Sequence, residues 1–330
     1  MKPFHAYQIR KTDEGEINAQ IEQLTQDKLP DSDVLIKVHY SSVNYKDGIV
    51  STPNNGLVKN YPIIPGIDLS GKVVESNDPR FQKGDAVIAT SYEIGVNHHG
   101  GYSEYANVPA DWIVPLPDGI SLEESMIYGT AGFTAALSIH RIEKSGITPE
   151  DGPVLVTGAT GGVGSMAVAM LAKRGFNVEA STGSLEHTDY LKDLGASKVL
   201  SREDVYDGNL KPITSERWAG AIDPVGGEQL ASILGKLKYN GAAAVSGLTG
   251  GTNIPAQVYP FILRGISLIG IDSVNCPMDT RKKVWHRLAN DLKTTNSFEQ
   301  IKFEITLEDV PATLKDILNG QTRGRAIVKL

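Results

Sequence analysis

Residues 154–166, VLVTGATGGVGSM, limit the fold more than any other stretch of this chain. An apolar run breaks into glycines, then resumes as the apolar helical pattern GVGSMAVAMLAKRG, closing on Gly175. A strand that turns this sharply into a helix leaves the first helical amides unpaired and outward-facing, a seat for an anion. The dinucleotide fingerprint G-x-G-x-x-G uses its glycines for a tight turn, for backbone approach to the pyrophosphate, and for close helix–strand packing. Here those positions fall on Ala159, Gly161 and Gly164, so the first carries alanine. Ser165 follows at the helix start, where its hydroxyl could donate to phosphate. A second strand about 20 residues on supplies the context that separates a cofactor cradle from a plain turn.

The end of that second strand bears on which cofactor is held. NAD sites place Asp or Glu there for the ribose 2′-hydroxyl. This chain reads NVEASTGSLEH, with Thr182, Gly183 and Ser184 at the end and Glu179 inside the strand. Small hydroxyl residues leave room for a 2′-phosphate, and Arg202, just after the third strand, is the nearest basic residue to clamp it. NADP(H) is therefore the expected cofactor.

The surrounding pattern divides in two. Before about residue 121, short β-rich runs (33–43, 84–92, 111–117) alternate with Gly- and Pro-containing turns, which predicts a partly open barrel. Ser121 and Glu124 then form a capping-box pattern before a long helix. Strands alternating with helices follow, as in a doubly wound parallel sheet. The tail carries an amphipathic helix around RKKVWHRLANDL, two strands and a short helix. With 330 residues the chain has room for two domains, and a net charge of −7 disfavours nucleic acid and anionic membrane surfaces as partners. A single cysteine, Cys276, excludes an intrachain disulfide and points to a reducing, cytoplasmic setting. No run reaches the 18 or so apolar residues of a membrane span.

The segments SSVNYKDGI, PGIDLSG, MIYGTAGFTAALS, VTGATGGVGSMAV, WAGAIDPVGG, AVSGLTGG, PFILRG and GIDSV occur in an order that resembles the medium-chain dehydrogenases/reductases. They are most similar to the zinc-independent quinone-oxidoreductase branch and its acryloyl-CoA reductase subfamily. The resemblance implies an α/β fold: a GroES-like partly open β-barrel catalytic domain plus a doubly wound parallel-sheet Rossmann domain. The catalytic domain would take residues 1–123 with 266–330 returning to it, and the NADP-binding domain residues 124–265. It implies a cofactor between the two, a homodimer formed near GISLIGID, and a small-molecule substrate. Zinc-dependent relatives carry ligands where this chain has Asn44 and Ile67, so no metal is expected. His98 and His99 adjoin in a Gly-rich loop and are expected to fill it.

Without a Lewis acid, an already activated acceptor fits best: an α,β-unsaturated thioester, an enone or a quinone. Hydride adds to the electron-poor carbon, and the resulting oxyanion needs a donor and a proton. Tyr45 is the candidate donor, or else packs on the nicotinamide. Asp47 could orient it or simply form the turn, and Asn44 could hydrogen-bond substrate or cofactor. Asp68 either faces the cleft or caps a turn. By resemblance, Thr130 approaches the nicotinamide, and Gly161, Gly162, Val163, Gly164, Ser165 and Met166 face the pyrophosphate. Thr182, Gly183, Ser184 and Arg202 surround the adenosine phosphate. Gly247, Leu248, Ile262 and Ser273 line the nicotinamide side, with Arg323 near the cofactor or plainly on the surface. The basic run Arg281, Lys282, Lys283 and Arg287 could receive the phosphates of a coenzyme A tail or be solvated surface. NADPH-dependent reduction of acryloyl-CoA to propionyl-CoA is the leading expectation, quinone reduction the second, and a non-catalytic nucleotide-binding protein of crystallin or sensor type the third.

Overall fold

In the computed structural model, which describes residues 2–330, the chain forms two compact units. One comprises the residues through Thr130 with Val274–Trp285 and Lys302–Leu330, the other Ala131–Ser273 with His286–Ile301. The chain begins with an antiparallel pair, β1 (Phe4–Lys11) and β2 (Ile17–Leu24). β3 (Val34–Ser42) leads into helix α1 (Tyr45–Val50), followed by β4 (Asp68–Ser76), β5 (Ala86–Thr90), β6 (Tyr105–Val108) and β7 (Ile113–Pro115). Helix α2 (Leu122–Lys144) has the capping box expected at its start, with Ser121 N donating to Glu124 Oε2 and Glu124 N to Ser121 Oγ.

The strand–helix alternation then runs β8 (Val154–Val156), α3 (Gly162–Lys173), β9 (Val178–Ser181), α4 (Thr188–Asp193) and β10 (Lys198–Leu200). It continues through α5 (Arg202–Val205), β11 (Trp218–Asp223), α6 (Gly227–Leu234), β12 (Leu237–Val245), α7 (Tyr259–Arg264) and β13 (Ser267–Gly270). The chain ends with α8 (Met278–Ala289), α9 (Thr295–Ile301), β14 (Lys302–Ile305), α10 (Val310–Leu318) and β15 (Arg325–Lys329).

In the first unit, β3 shows why an alternating strand can serve two cores. Val34, Ile36 and Val38 enter one apolar cluster with Leu69, Val73 and Val87, while Leu35 between them enters another with Tyr7, Ile64 and Val328. The sheet order is β14-β15-β3-β4-β5-β7, with β6 also pairing β3. β15 pairs antiparallel with β3, Ile327 opposite Ser42, so the last strand of the chain lands beside the first strand of the main sheet.

The second unit holds a parallel sheet of order β10-β9-β8-β11-β12-β13. β8 and β11 are buried along their whole length, which explains why both are apolar up to Asp223 at the end of β11. Strand order reverses between β8 and β11, and in open α/β sheets ligands bind beyond the carboxyl ends of the strands at such a switch point. Both β8 and β11 end there in turns of small residues.

Candidate active site

A buried ionic cluster lies at the centre of the first unit. Arg325, at the start of β15, is 2% exposed and Asp68, at the start of β4, is 0% exposed. Their nearest charged atoms are 3.7 Å apart. Asp68 Oδ2 accepts from Ser42 Oγ (2.7 Å), Asn44 Nδ2 (2.7 Å) and Thr130 N (2.8 Å), and Oδ1 from Thr130 Oγ1 (2.5 Å). Arg325 donates to Ser42 Oγ (2.7 Å), Val43 O (3.0 Å) and Asn44 Oδ1 (3.1 Å). Buried charges survive only with this degree of pairing and hydrogen bonding. Helix α2 breaks at Gly129 (φ +51°) to admit the cluster. A Cβ there would lie 2.5 Å from both Arg325 Nη2 and Asp68 Oδ2 and 2.6 Å from Ser42 Oγ.

The cluster decides the fate of the expected catalytic residues. Asn44 is buried with both ends of its amide engaged by Asp68 and Arg325, so it holds the start of α1 rather than reaching for a substrate. Asp47 is likewise 0% exposed; its Oδ1 accepts from Ile67 N (2.9 Å) and its Oδ2 from Asn44 N (2.9 Å). Burial, then the nearby Asp68 charge, push its pKa up to about 7. Below that pH Asp47 is neutral. Tyr102, wholly buried beside this group, donates its hydroxyl to Ser42 O (3.4 Å). Asp68 is a hub of the core rather than a turn cap. Tyr45, the first residue of α1, is 41% exposed. Of the three, it alone presents a reactive group to solvent. Thr130 is held to Asp68 by both its amide and its hydroxyl and lies 3.0 Å from Ser91 Oγ. Arg323 is exposed, two residues from the arginine that is built into the core.

In the second unit the tight turn of the glycine cradle falls one residue earlier than the fingerprint alignment suggests. The tight turn is made by Gly158 (φ +53°), and Ala159 is a buried residue whose N–H donates to Ser181 O. Alanine therefore stands at a position with no turn to make. Gly164 packs as expected: a Cβ would lie 2.3 Å from Gly158 O. At Gly161 a Cβ would meet only Gly158 O, at 3.4 Å, so the protein leaves that side open. Ser165 is a correction, since its N–H (2.9 Å) and hydroxyl (2.7 Å) both donate to Gly161 O and the residue is buried. Met166 is buried one step further along the i→i−4 ladder. The outward amides are those of Gly162, Val163 and Gly164, on a helix with no side-chain cap. An open glycine beside unpaired amides is a cradle that fits a pyrophosphate.

At the end of β9, Thr182 Oγ1 accepts from Ser184 N (3.0 Å), closing the turn around Gly183. The Arg202 guanidinium lies flat against this glycine: a Cβ would sit 2.5 Å from its Cζ. Arg202 is exposed, and its guanidinium carries no salt bridge or hydrogen bond among the described residues. Glu179 accepts from Trp218 Nε1 (2.8 Å) and Arg217 Nη2 (2.9 Å), so it is occupied away from the strand end. Beyond β12 stand Gly247 and the exposed Leu248, preceded by Ser246, whose buried hydroxyl has no partner among the described residues. Ser273 follows β13 and is half-buried, while Ile262 is 71% exposed on α7.

The basic run does not form an anion site. Arg281 is 0% exposed, bonded to Thr90 O (3.2 Å), Thr90 Oγ1 (3.0 Å) and Val274 O (3.0 Å) and stacked 4.4 Å from the Tyr92 ring. Arg287 pairs with Glu143 (2.7 Å) and Asp291 (2.6 Å). Only Lys282 and Lys283 remain at the surface. His98 and His99 turn to separate partners, Asn107 O (2.6 Å) and Ile64 N (3.4 Å), and burial lowers the pKa of His99 to about 4.

A family model described as the alcohol dehydrogenase GroES-like domain matches residues 30–118, and one described as zinc-binding dehydrogenase matches residues 162–290. YhfP of Bacillus subtilis is 58% identical over 327 residues, covering 99% of each chain. Its crystal structure with NAD bound superposes with a TM-score of 0.98 over 100% of both chains. The chain belongs to the medium-chain dehydrogenases/reductases. Acrylyl-CoA reductase AcuI of Ruegeria pomeroyi is 47% identical to this family member over 98% of each chain. The E. coli YhdH structure with bound NADPH has 44% identity and a TM-score of 0.94, covering 98% of this chain and 99% of that one. The side chains of this oxidoreductase do not fit the zinc ion of its metal-dependent relatives. Asn44 is saturated by protein partners, Ile67 is a buried aliphatic residue, and among the described residues no group of three or more His, Cys, Asp or Glu could hold a metal.

Proposed function

We propose that the protein is an NADPH-dependent reductase of activated carbon–carbon double bonds, with acryloyl-CoA to propionyl-CoA as its principal reaction. One observation carries this reading: a half-exposed phenol, Tyr45, stands on a helix start fixed by the buried Asp68–Arg325 cluster. When bound, NADPH would supply the hydride that C3 of the acryloyl group accepts. The C2–C3 pair shifts to form a C1–C2 double bond as the carbonyl pair moves to the thioester oxygen, giving an enolate; a proton from solvent then adds at C2 and the carbonyl reforms. Tyr45 donates its hydroxyl hydrogen bond to that developing oxyanion. Asn44 and Asp47 do not touch the substrate; they orient the turn that carries Tyr45.

The amides of Gly162, Val163 and Gly164 hold the pyrophosphate, with Gly247 and Leu248 on the nicotinamide side. Arg202, lying over Gly183, takes the 2′-phosphate, as its planar fork suits. A homodimer is part of this reading: β13 is an edge strand, and Leu248, Val258, Tyr259, Ile262 and Leu263 are all exposed in the same unit. So is a cytoplasmic location, in keeping with one buried cysteine.

The test is decay of NADPH absorbance with acryloyl-CoA, small enones and quinones, each repeated with NADH. Acryloyl-CoA is expected to give the highest kcat/KM. A higher value for a quinone would move the enzyme to quinone reduction, and no turnover with any acceptor would make it a binding protein. Tyr45→Phe is expected to lower kcat about 100-fold with little change in Tm; full turnover by that variant would remove the donor role.

A further inference from the structure

The carboxylate of Asp223, at the end of β11, takes no part in the reaction above, yet it is 0% exposed and among the described residues no basic side chain pairs with it. Its partners come from two strand ends. Oδ1 accepts from the hydroxyl of Thr157, the residue between β8 and Gly158, and from Val225 N (3.4 Å); Oδ2 accepts from Gly226 N (2.8 Å). Burial raises its pKa and these donors oppose the rise.

The turn that the carboxylate closes, Pro224–Val225, lies between two glycine turns. On one side Val225 Cγ2 is 3.2 Å from where a Cβ on Gly158 would stand. On the other, a Cβ on Gly247 would fall 2.0 Å from Pro224 O and one on Gly250 2.8 Å from Val225 Cγ1, while Gly250 N donates to Val225 O (2.7 Å). The two turns thus make contact through Pro224 and Val225. A carboxylate suits this place because it accepts from both segments and offers no competing donor.

We propose that Asp223 is a positioning residue for the cofactor: by holding Pro224–Val225 against Gly158 and Gly247–Gly250, it fixes the spacing between the pyrophosphate cradle and the nicotinamide-side turn. This rests on the cofactor placement given under Proposed function. It separates two binding energies that a general loss of stability would lower together, that of the adenine half and that of the whole dinucleotide.

The experiment titrates wild type, Asp223→Asn, Thr157→Val and Thr157→Ser with NADPH and with adenosine 2′,5′-bisphosphate, followed by tryptophan fluorescence, alongside Tm. In Asp223→Asn and Thr157→Val the advantage of NADPH over the fragment is expected to fall about 10-fold while the fragment Kd stays within about twofold. Thr157→Ser, which keeps the hydroxyl, should restore the wild-type ratio. An unchanged ratio in both variants overturns the inference and leaves the cofactor site standing, as does an equal loss for both ligands in step with Tm. Wild type that binds neither ligand overturns the cofactor reading itself, and this inference with it.

Discussion

The two units build their candidate sites by opposite means. In the first, seven side chains from distant stretches (Ser42, Asn44, Asp47, Asp68, Tyr102, Thr130, Arg325) converge in the interior; one hydrogen bond links residues 283 apart in sequence. In the second, the cradle is almost entirely backbone, drawn from one short loop whose glycines leave space. The first site is dense, charged and saturated, and the second is open and lined by helix-start amides. The difference teaches where each is vulnerable: the first to removing an atom, the second to adding one.

Arg325→Ala tests the first half of that contrast at its most sensitive point. Asp68 would be left as an uncompensated buried charge, which costs about 3–5 kcal/mol. Denaturant unfolding should show this loss, and Asp68→Asn in the same chain should recover part of it. A variant as stable as wild type would mean the cluster is far more hydrated than its burial indicates.

Asp47 gives the next largest effect, read in pH. Its pKa is raised from 3.8 to about 7, so between those values the folded chain holds a proton that the unfolded chain has released. Its contribution to stability is therefore fully present below about pH 4 and lost as pH rises through about 7, by an amount on the order of 4 kcal/mol. Carboxylates with lowered pKa values, such as Asp78, slope the other way. The readout is accordingly the difference between wild type and Asp47→Asn across pH 4–8. That difference should narrow as pH rises, because only the wild type comes to bury a charge; parallel profiles would show that Asp47 keeps an ordinary pKa.

These two sites were not equally legible in the sequence. The cradle was, because a backbone site is written in consecutive residues: an apolar strand, small residues, an apolar helix. Its errors were local. The turn belongs to Gly158 rather than the Ala159 position, and Ser165 satisfies Gly161 instead of a phosphate. The cluster was half legible. Asn44, Asp47, Asp68 and Thr130 stand out within their motifs, but the sequence points to Arg323 and not to Arg325. Nothing within GQTRGRAIV says which arginine turns inward; that depends on the register of β15 against β3, a pairing set far along the chain. The same limit applies to Arg281, which looked like one of a basic surface run and is instead a buried support for β5.

Glycine substitutions test the second half of the contrast. Gly164→Ala places a methyl 2.3 Å from Gly158 O, so the helix and turn must move apart; a loss of about 1–3 kcal/mol in stability is expected, with weaker NADPH binding. Gly161→Ala adds the same methyl where the nearest protein atom is 3.4 Å away. It should leave Tm unchanged and still weaken NADPH binding, because the methyl enters the space the pyrophosphate needs. If both variants lower Tm alike, the open side of Gly161 serves packing and not a ligand.

Arg202→Ala should have the smallest effect and the most selective one. The guanidinium lies on Gly183 at the surface, unpaired, so its removal breaks no internal contact of consequence and Tm should not change. Solvent screens an exposed arginine–phosphate pair, which keeps the expected loss near tenfold in the Kd for NADPH, about 1.4 kcal/mol. NADH lacks the 2′-phosphate and should bind the variant as it binds wild type. Raising ionic strength should weaken NADPH binding to wild type more than to the variant, since only the former contains the screened pair. An equal loss for both cofactors would mean that Arg202 acts through the shape of the β9 turn, and that the chain does not distinguish NADPH by charge at this position.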